Sequence, residues 1–226
     1  EERMKKGDVV ERRCKALKEH GFLNYFGPQR FGSQLIRSDQ IGAALLSHDF
    51  SKTLRLILGD VTALGVNRAA LMESTNQWNE AAKEAQGKVL RHWSCGVSEA
   101  AKEALPLMPK SFNLERGVLK SLAQGLSAED TLRRLPRQLL MLYVKAAQSR
   151  LFNEVLSRRV GHHGCAPRLG DLALPVTAGF ADLSHFSRVK SLPGQHLVLN
   201  EDTLPMVRNG LLEVVLPLPG TAVQCP

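Results

Sequence analysis

Residues 136–159 constrain the fold more than any other stretch, because they form a helix-length segment with almost no polar face. Leu139, Leu140, Leu142, Tyr143, Val144, Ala146, Ala147, Leu151, Phe152, Val155 and Leu156 fall on every side of a 3.6-residue turn. A surface helix keeps a single apolar stripe, whereas one that is apolar nearly all round belongs inside a larger core. The spacing therefore predicts one long buried helix from Pro136 to Arg159. Its exceptions are Gln148, Ser149 and Asn153. Ser149 and Asn153 are four apart and share a face, with Gln148 one step round. Packing explains the leucines but not this polar trio, since buried polar side chains need partners, water or a ligand.

Either side of that helix the pattern differs. Residues 9–20 read as a short amphipathic helix carrying Val9, Val10, Cys14 and Leu17, with Gly21 as its stop. From Asp39 to about Leu132 the reading is almost entirely helical. Ile41, Ala44 and Leu45 form one stripe, and Leu54, Leu56, Ile57 and Leu58 a second that begins after Asp49, a suitable N-cap. Residues 67–93 read as a longer, more polar helical region. Pro106 and Pro109 break the chain, Leu114 to Leu122 returns to helical spacing, and Ser127-Ala128-Glu129-Asp130 has the character of a helix start. After Gly164 short strands and turns take over: Asp171 to Leu174, Leu197 to Leu199 before an Asn200-Glu201-Asp202 turn into a short helix, and Leu211 to Leu218. The expected class is α+β, with helices interrupting a sheet domain. The expected division is 1–37, a helical insertion at 38–134, and 135–226.

A formal net charge of +8 and a pI near 9.6 favour a polyanionic partner, because each phosphate neutralised by Lys or Arg releases condensed counterions. The excess is concentrated: Arg133, Arg134, Arg137, Lys145, Arg150, Arg158 and Arg159 face only Glu154 within residues 131–160. A solvated basic helix face would give the same charge count. No apolar run approaches the roughly 20 residues needed to span a bilayer, so no membrane role is expected. No basic-then-apolar leader opens the sequence. Cys14, Cys95, Cys165 and Cys225 lie far apart without a C-x-x-C pair, which fits reduced thiols in an intracellular protein, in nucleus or cytoplasm. His162, His163 and Cys165 carry zinc-ligand chemistry, but two adjacent histidines beside glycines read first as a polar loop, and no metal is expected. The sequence begins at Glu1 and not at a methionine, so a longer protein is the expectation.

Residues 22–32 carry the most specific information. Four of the chain's twelve aromatic residues (Phe22, Tyr25, Phe26, Phe31) fall within ten positions, among glycines, a proline and an arginine. That mixture predicts a shaped loop at a strand end. Asn24-Tyr25-Phe26-Gly27-Pro28-Gln29-Arg30-Phe31-Gly32 resembles the N-Y-F-G-x-Q-R-F-G motif of TruD-type RNA pseudouridine synthases. Three further segments follow in that family's order. Ala147-Gln148-Ser149-Arg150-Leu151-Phe152-Asn153 resembles its A-x-Q-S-x-x-F-N helix, slightly compressed. Gly170-Asp171-Leu172 resembles its G-D-L strand. Val215-Leu216-Pro217-Leu218-Pro219-Gly220 resembles the V-L-P-L-P-G of eukaryotic members.

The resemblance implies isomerisation of a uridine within RNA, most simply tRNA, by an aspartate that attacks the nucleoside while the base detaches, turns and rejoins through carbon. No cofactor is implied, because the carboxylate supplies covalent catalysis. The family's aspartate lies in a G-x-K-D segment ahead of the motif. No such segment occurs in residues 1–226, where Asp8 and Asp60 directly follow glycines, so the nucleophile is expected upstream of Glu1 and this chain is expected to be inactive alone. By the same resemblance Asn24 contacts the target nucleotide or orders the carboxylate, Phe26 packs beside the base, and Gln29 and Arg30 brace the loop or meet a phosphate. Gln148, Ser149 and Asn153 support the loop from beneath or cap buried backbone. Tyr25 and Phe31 are expected as core aromatics, and Gly27 and Gly32 as sources of backbone freedom. Two other readings stay open: a catalytically silent RNA-binding homologue, and a helical protein-interaction module centred on residues 39–132. The second would bind a protein through an exposed apolar patch, whereas the leading reading implies RNA and no obligate protein partner.

Overall fold

A computed structural model describes residues 6–20, 22–65, 79–176 and 196–220. The helix expected at 9–20 is α1 (Lys6–His20), and the aromatic loop that follows tightens into a 3-10 turn at Pro28–Arg30. The helical region resolves into α2 (Ser38–Leu46), α3 (Phe50–Ile57), α4 (Glu80–Arg91), α5 (Val97–Ala104), α6 (Asn113–Ala123) and α7 (Ala128–Arg133). Residues 67–78 of the expected polar helix lie outside the described residues, whereas α4 occupies its second half. Two helix starts form as their sequences require. The Asp49 carboxylate accepts from the Lys52 amide at 2.9 Å, and the Ser127 hydroxyl accepts from the Asp130 amide at 3.1 Å.

One hydrophobic core organises these helices. Leu54, Leu58, Val89, Val118 and Leu119 are wholly buried, and the same cluster reaches from Ile41 on α2 to Tyr143 on the long helix α8 (Arg137–His163). α2 lies against α8 at backbone distance. A Cβ on Gly42 would stand 2.0 Å from the Tyr143 carbonyl oxygen, so only glycine permits the crossing there. Burial holds the Tyr143 phenol in its neutral form, its pKa pushed up to about 12 by desolvation and secondarily by the charge of Glu115. Glu115 on α6 is itself raised by burial.

The C-terminal region is a three-stranded antiparallel sheet of order β2-β1-β3, with β1 at Leu172–Pro175, β2 at Leu197–Val198 and β3 at Leu212–Val215. β1 pairs Leu172 with Val198 on one side and with Val215 on the other. The short helix α9 (Leu204–Arg208) follows a turn in which the Asn200 side chain accepts from the Thr203 amide at 2.9 Å. Ala173, Leu199 and Leu212 form a small second core with Leu204, Val207 and Val214. The chain is thus α+β, as its pattern implies.

Several expectations are corrected. α8 is not buried all round: Met141, Leu142, Leu151 and Val155 are exposed, because α2, the aromatic loop and the sheet approach it from other directions. The apolar side of α1 is likewise uncovered at Val10 and Leu17. Among the described residues the aromatic loop adjoins no strand; it lies between α1 and α2. Tyr25 is exposed and not a core residue, because its hydroxyl lies 3.1 Å from that of Ser157 at the wet flank of α8. Gly27 sits at φ −77°, ordinary for any residue, while Gly32 at φ +82° does use glycine's freedom.

Candidate functional site

The backbone of the aromatic loop is fastened to α8 by the Asn153 side chain. The Asn153 Oδ1 atom accepts from the Phe26 amide at 2.9 Å, and its Nδ2 donates to the Phe26 carbonyl at 2.9 Å. A primary amide offers one acceptor and one donor side by side, which matches the N–H and C=O of one extended residue. Asn153 therefore gives Phe26 both hydrogen bonds that a neighbouring strand would supply. Phe152 adds an edge-to-face contact with the Phe26 ring, the centroids 5.5 Å apart at 79°. The Arg30 guanidinium carbon stands 5.4 Å from the centroid of the same ring. Asn153 holds the backbone of Phe26, while Phe152 and Arg30 contact its ring.

The fixed ring borders a cleft of about 260 Å³. Phe26, Pro28 and Phe31 provide its apolar surface, Gly32 keeps one wall open, and Arg37, Asp39 and Arg150 provide its charge. Arg37 closes a fork on Asp39, with Nε to Oδ1 at 3.0 Å and Nη2 to Oδ2 at 3.1 Å. That contact raises the Arg37 pKa, chiefly through the hydrogen bond; burial opposes the rise, and the carboxylate charge adds the smallest share. Asp39 is a buried carboxylate in the first turn of α2, and each of its oxygens accepts a guanidinium N–H. Such an oxygen is a poor nucleophile, so Asp39 serves as the anchor of the α2 start. The Gln40 side chain reinforces it by accepting from the Arg37 amide at 2.7 Å.

The remaining residues expected from the sequence separate. Asn24, Gln29 and Arg30 are exposed on the loop, and Phe26 is half-buried at the cleft. Of the polar trio, Asn153 alone reaches the loop. Ser149 is buried and donates to the Lys145 carbonyl one turn back at 2.8 Å. Gln148 donates from Nε2 to the Pro219 carbonyl, tying the V-L-P-L-P-G segment to α8. Gly27 has open space where a Cβ would stand. Arg37, Asp39, Arg150 and Phe152 are site residues that the sequence does not mark as such. Phe152 and Arg150 stand inside the A-Q-S-R-L-F-N segment, and an Arg-x-Asp pair at a helix start is a readable local signal, but only the folded chain brings them to one cleft.

Much of the basic excess is used within the fold. Arg159 donates to the carbonyls of Gly164 and Ala166 and to Asp171 Oδ2 at 2.7 Å, and Asp171 also accepts from the Arg168 amide at 2.8 Å. The G-D-L segment is thereby latched to the end of α8. His163 accepts from Arg168, and Cys14, Cys95 and Cys165 are exposed free thiols, while Cys225 lies outside the described residues. Among the described residues no group of three or more His, Cys, Asp or Glu side chains is placed to hold a metal ion, and no helix is long and apolar enough to cross a membrane.

Comparison with known proteins adds an independent line. The model of the tRNA pseudouridine synthase D (TruD) family matches residues 1–226. The chain is 30% identical to pseudouridylate synthase PUS7L of Danio rerio over 96% of its own length and 31% of that protein's. It is 33% identical to PUS7L of Mus musculus over 97% of its length and 28% of that protein's. It is 28% identical to multisubstrate pseudouridine synthase 7 of Schizosaccharomyces pombe over 98% of its length and 31% of that protein's. The chain thus spans about three tenths of the length of these three relatives.

Proposed function

The chain belongs to the TruD family of pseudouridine synthases, and from that premise we propose that the whole protein converts a uridine in RNA, with tRNA the leading substrate, to pseudouridine. The observation that carries this reading is the Phe26 residue, held by α8 at its backbone and by a ring contact with Phe152, at a cleft with a cationic rim. A uridine must leave its stack to be isomerised, at a cost of a few kcal/mol. A pre-positioned aromatic beside a basic rim offsets that cost without first having to order itself. Asn24, two residues before Phe26 on the same held loop, is the residue assigned to the sugar or base of the extruded nucleotide. Gln29 and Arg30 extend the rim. The nucleophilic aspartate is assigned to a segment outside residues 1–226, with residues 38–134 as an insertion between two catalytic-domain segments, and an intracellular setting. No cofactor is assigned, since a carboxylate nucleophile and a closed pocket suffice for the isomerisation.

The test uses the full-length protein and tRNA carrying tritium at uridine C5, which is released when that carbon bonds to the ribose. Asn24→Ala is expected to lower turnover on the order of 100-fold, the scale set by misplacing a reacting group. Its unfolding midpoint should be unchanged, because Asn24 is exposed. Phe26→Ala is expected to weaken RNA binding by about 5- to 100-fold, the range of one base–aromatic stack. Wild-type turnover with Asn24→Ala would remove the site assignment, and absence of tritium release from the wild-type protein across RNA substrates would remove the enzymatic reading.

A further inference from the structure

Two arginines border the cleft beside Phe26, and they differ in electrical state. Arg37 is spent: its guanidinium forks onto both oxygens of Asp39, so the pair presents no net charge to the cleft. Arg150 is exposed and forms no ion pair or hydrogen bond among the described residues. Its position is nevertheless fixed relative to the aromatic ring. Arg150 lies three residues before Asn153 on α8, one turn away and on an adjacent part of the helix surface. Asn153 is the residue that grips Phe26. One rigid helix therefore sets both the ring and the cation. The cleft combines a flat apolar surface with one uncompensated guanidinium on its border, a pairing that suits a planar base joined to an anion. A neutral base alone would leave Arg150 without a purpose there, and a bare anion would leave Phe26 and Phe31 without one.

We propose that Arg150 binds the RNA phosphate next to the nucleotide whose base enters the cleft, while the Arg37–Asp39 pair forms a neutral wall that leaves this contact to Arg150. The proposal rests on the RNA-modifying reading above and adds the residue that sets the register of the strand. A guanidinium fork suits a phosphate because two parallel N–H donors meet two oxygens, which fixes orientation as well as position. The Arg37 fork is closed to that role by Asp39.

The experiment uses the full-length protein and a short single-stranded RNA containing one uridine, with binding measured across a salt series. Arg150→Gln is expected to lower the slope of log K against log salt by about 0.7, the share of one single-strand phosphate, and to weaken binding about tenfold at low salt. Arg150→Lys should keep the slope and recover only part of the affinity, because an ammonium supplies the charge without the fork. Replacing the phosphate beside the uridine by a neutral methylphosphonate should weaken binding by the wild type and leave Arg150→Gln unaffected. Equal losses for both proteins with the methylphosphonate, or an unchanged slope in Arg150→Gln while the wild type binds in a salt-sensitive way, would overturn the phosphate contact and leave the RNA reading standing. Salt-insensitive or absent binding by the wild type would overturn both.

Discussion

The helical body and the C-terminal sheet are held together by different forces. Between Ile41 and Tyr143 the helices bury Leu54, Leu56, Leu58, Met108, Val118 and Leu119 almost completely, and their order follows from apolar area removed from water. Among the described residues the sheet centres on Ala173, Leu199 and Leu212, with Leu204, Val207 and Val214 packed against them, a small core to fix three strands and α9. Directed polar contacts to α8 make up the difference: Arg159 to Asp171, Gln148 to Pro219, and Asn153 to Phe26 in the neighbouring loop. Non-directional burial builds a stable body but tolerates small shifts. Hydrogen bonds with fixed geometry position backbone, which is what a loop that must present a ring at a cleft requires. α8 serves both, with its first turns in the helical core and its later turns carrying the polar ties.

The largest expected effect tests the first half of that contrast. Leu54→Ala removes a wholly buried side chain from the middle of the helical core and should cost about 2–5 kcal/mol in denaturant unfolding. A cost under 1 kcal/mol would mean that the body is not held by its core. Arg159→Ala should cost less overall, about 2 kcal/mol, since it deletes charge-assisted bonds from a partly exposed group. The loss should be local: hydrogen exchange should quicken through β1 and its pairing with β2 while α3 and α6 stay protected. Uniform loss of protection would show that sheet and helices unfold as one unit and would break the comparison.

Asn153→Ala probes the loop in the same way at smaller scale. Two hydrogen bonds to one residue should contribute about 1–2 kcal/mol together, felt as faster exchange at the Phe26 amide with little change in global stability. Asn153→Asp keeps the acceptor for that amide but places a carboxylate oxygen against the Phe26 carbonyl, so it should loosen the loop as well. The smallest effect concerns pH in the helical body. Burial raises the Glu115 pKa above its ordinary value of 4.5, so the folded protein holds that proton more tightly than the unfolded chain. Stability from this group is full below pH 4.5 and falls as pH rises through the raised value. Glu115→Gln should therefore raise the melting temperature slightly at neutral pH, and the advantage should vanish on acidification. A destabilised variant at pH 7 would reveal a favourable partner for the carboxylate instead.

How far the sequence was legible follows the range of the interactions. Asp49 and Ser127 announce their helices because each cap reaches an amide only three residues away. The strands begin within one residue of the apolar runs that predict them, since that pattern is a local signal, although β3 ends at Val215, three residues before its run does. The polar trio on α8 was visible as an anomaly, yet its division of labour was not: Asn153 meets Phe26 across 127 positions and Gln148 meets Pro219 across 71. Tyr25 reads as core by residue type, but Ser157 draws its hydroxyl to the surface. The exposed leucines of α8 escape the sequence pattern for a related reason, because a helix apolar on every side states what it can pack against and not which sides the described segments cover.

The sequence by itself determined the class of fold, the positions of most helices and strands, the basic balance and the nine-residue motif, all of which depend on neighbours within a turn or two. Tertiary structure alone decided that a neutralised arginine and an uncompensated one would border the same cleft as Phe26. Residue 150 is remote along the chain from residues 26 and 37, and only the packing of both α2 and the aromatic loop onto α8 gives their charges and faces a common neighbourhood.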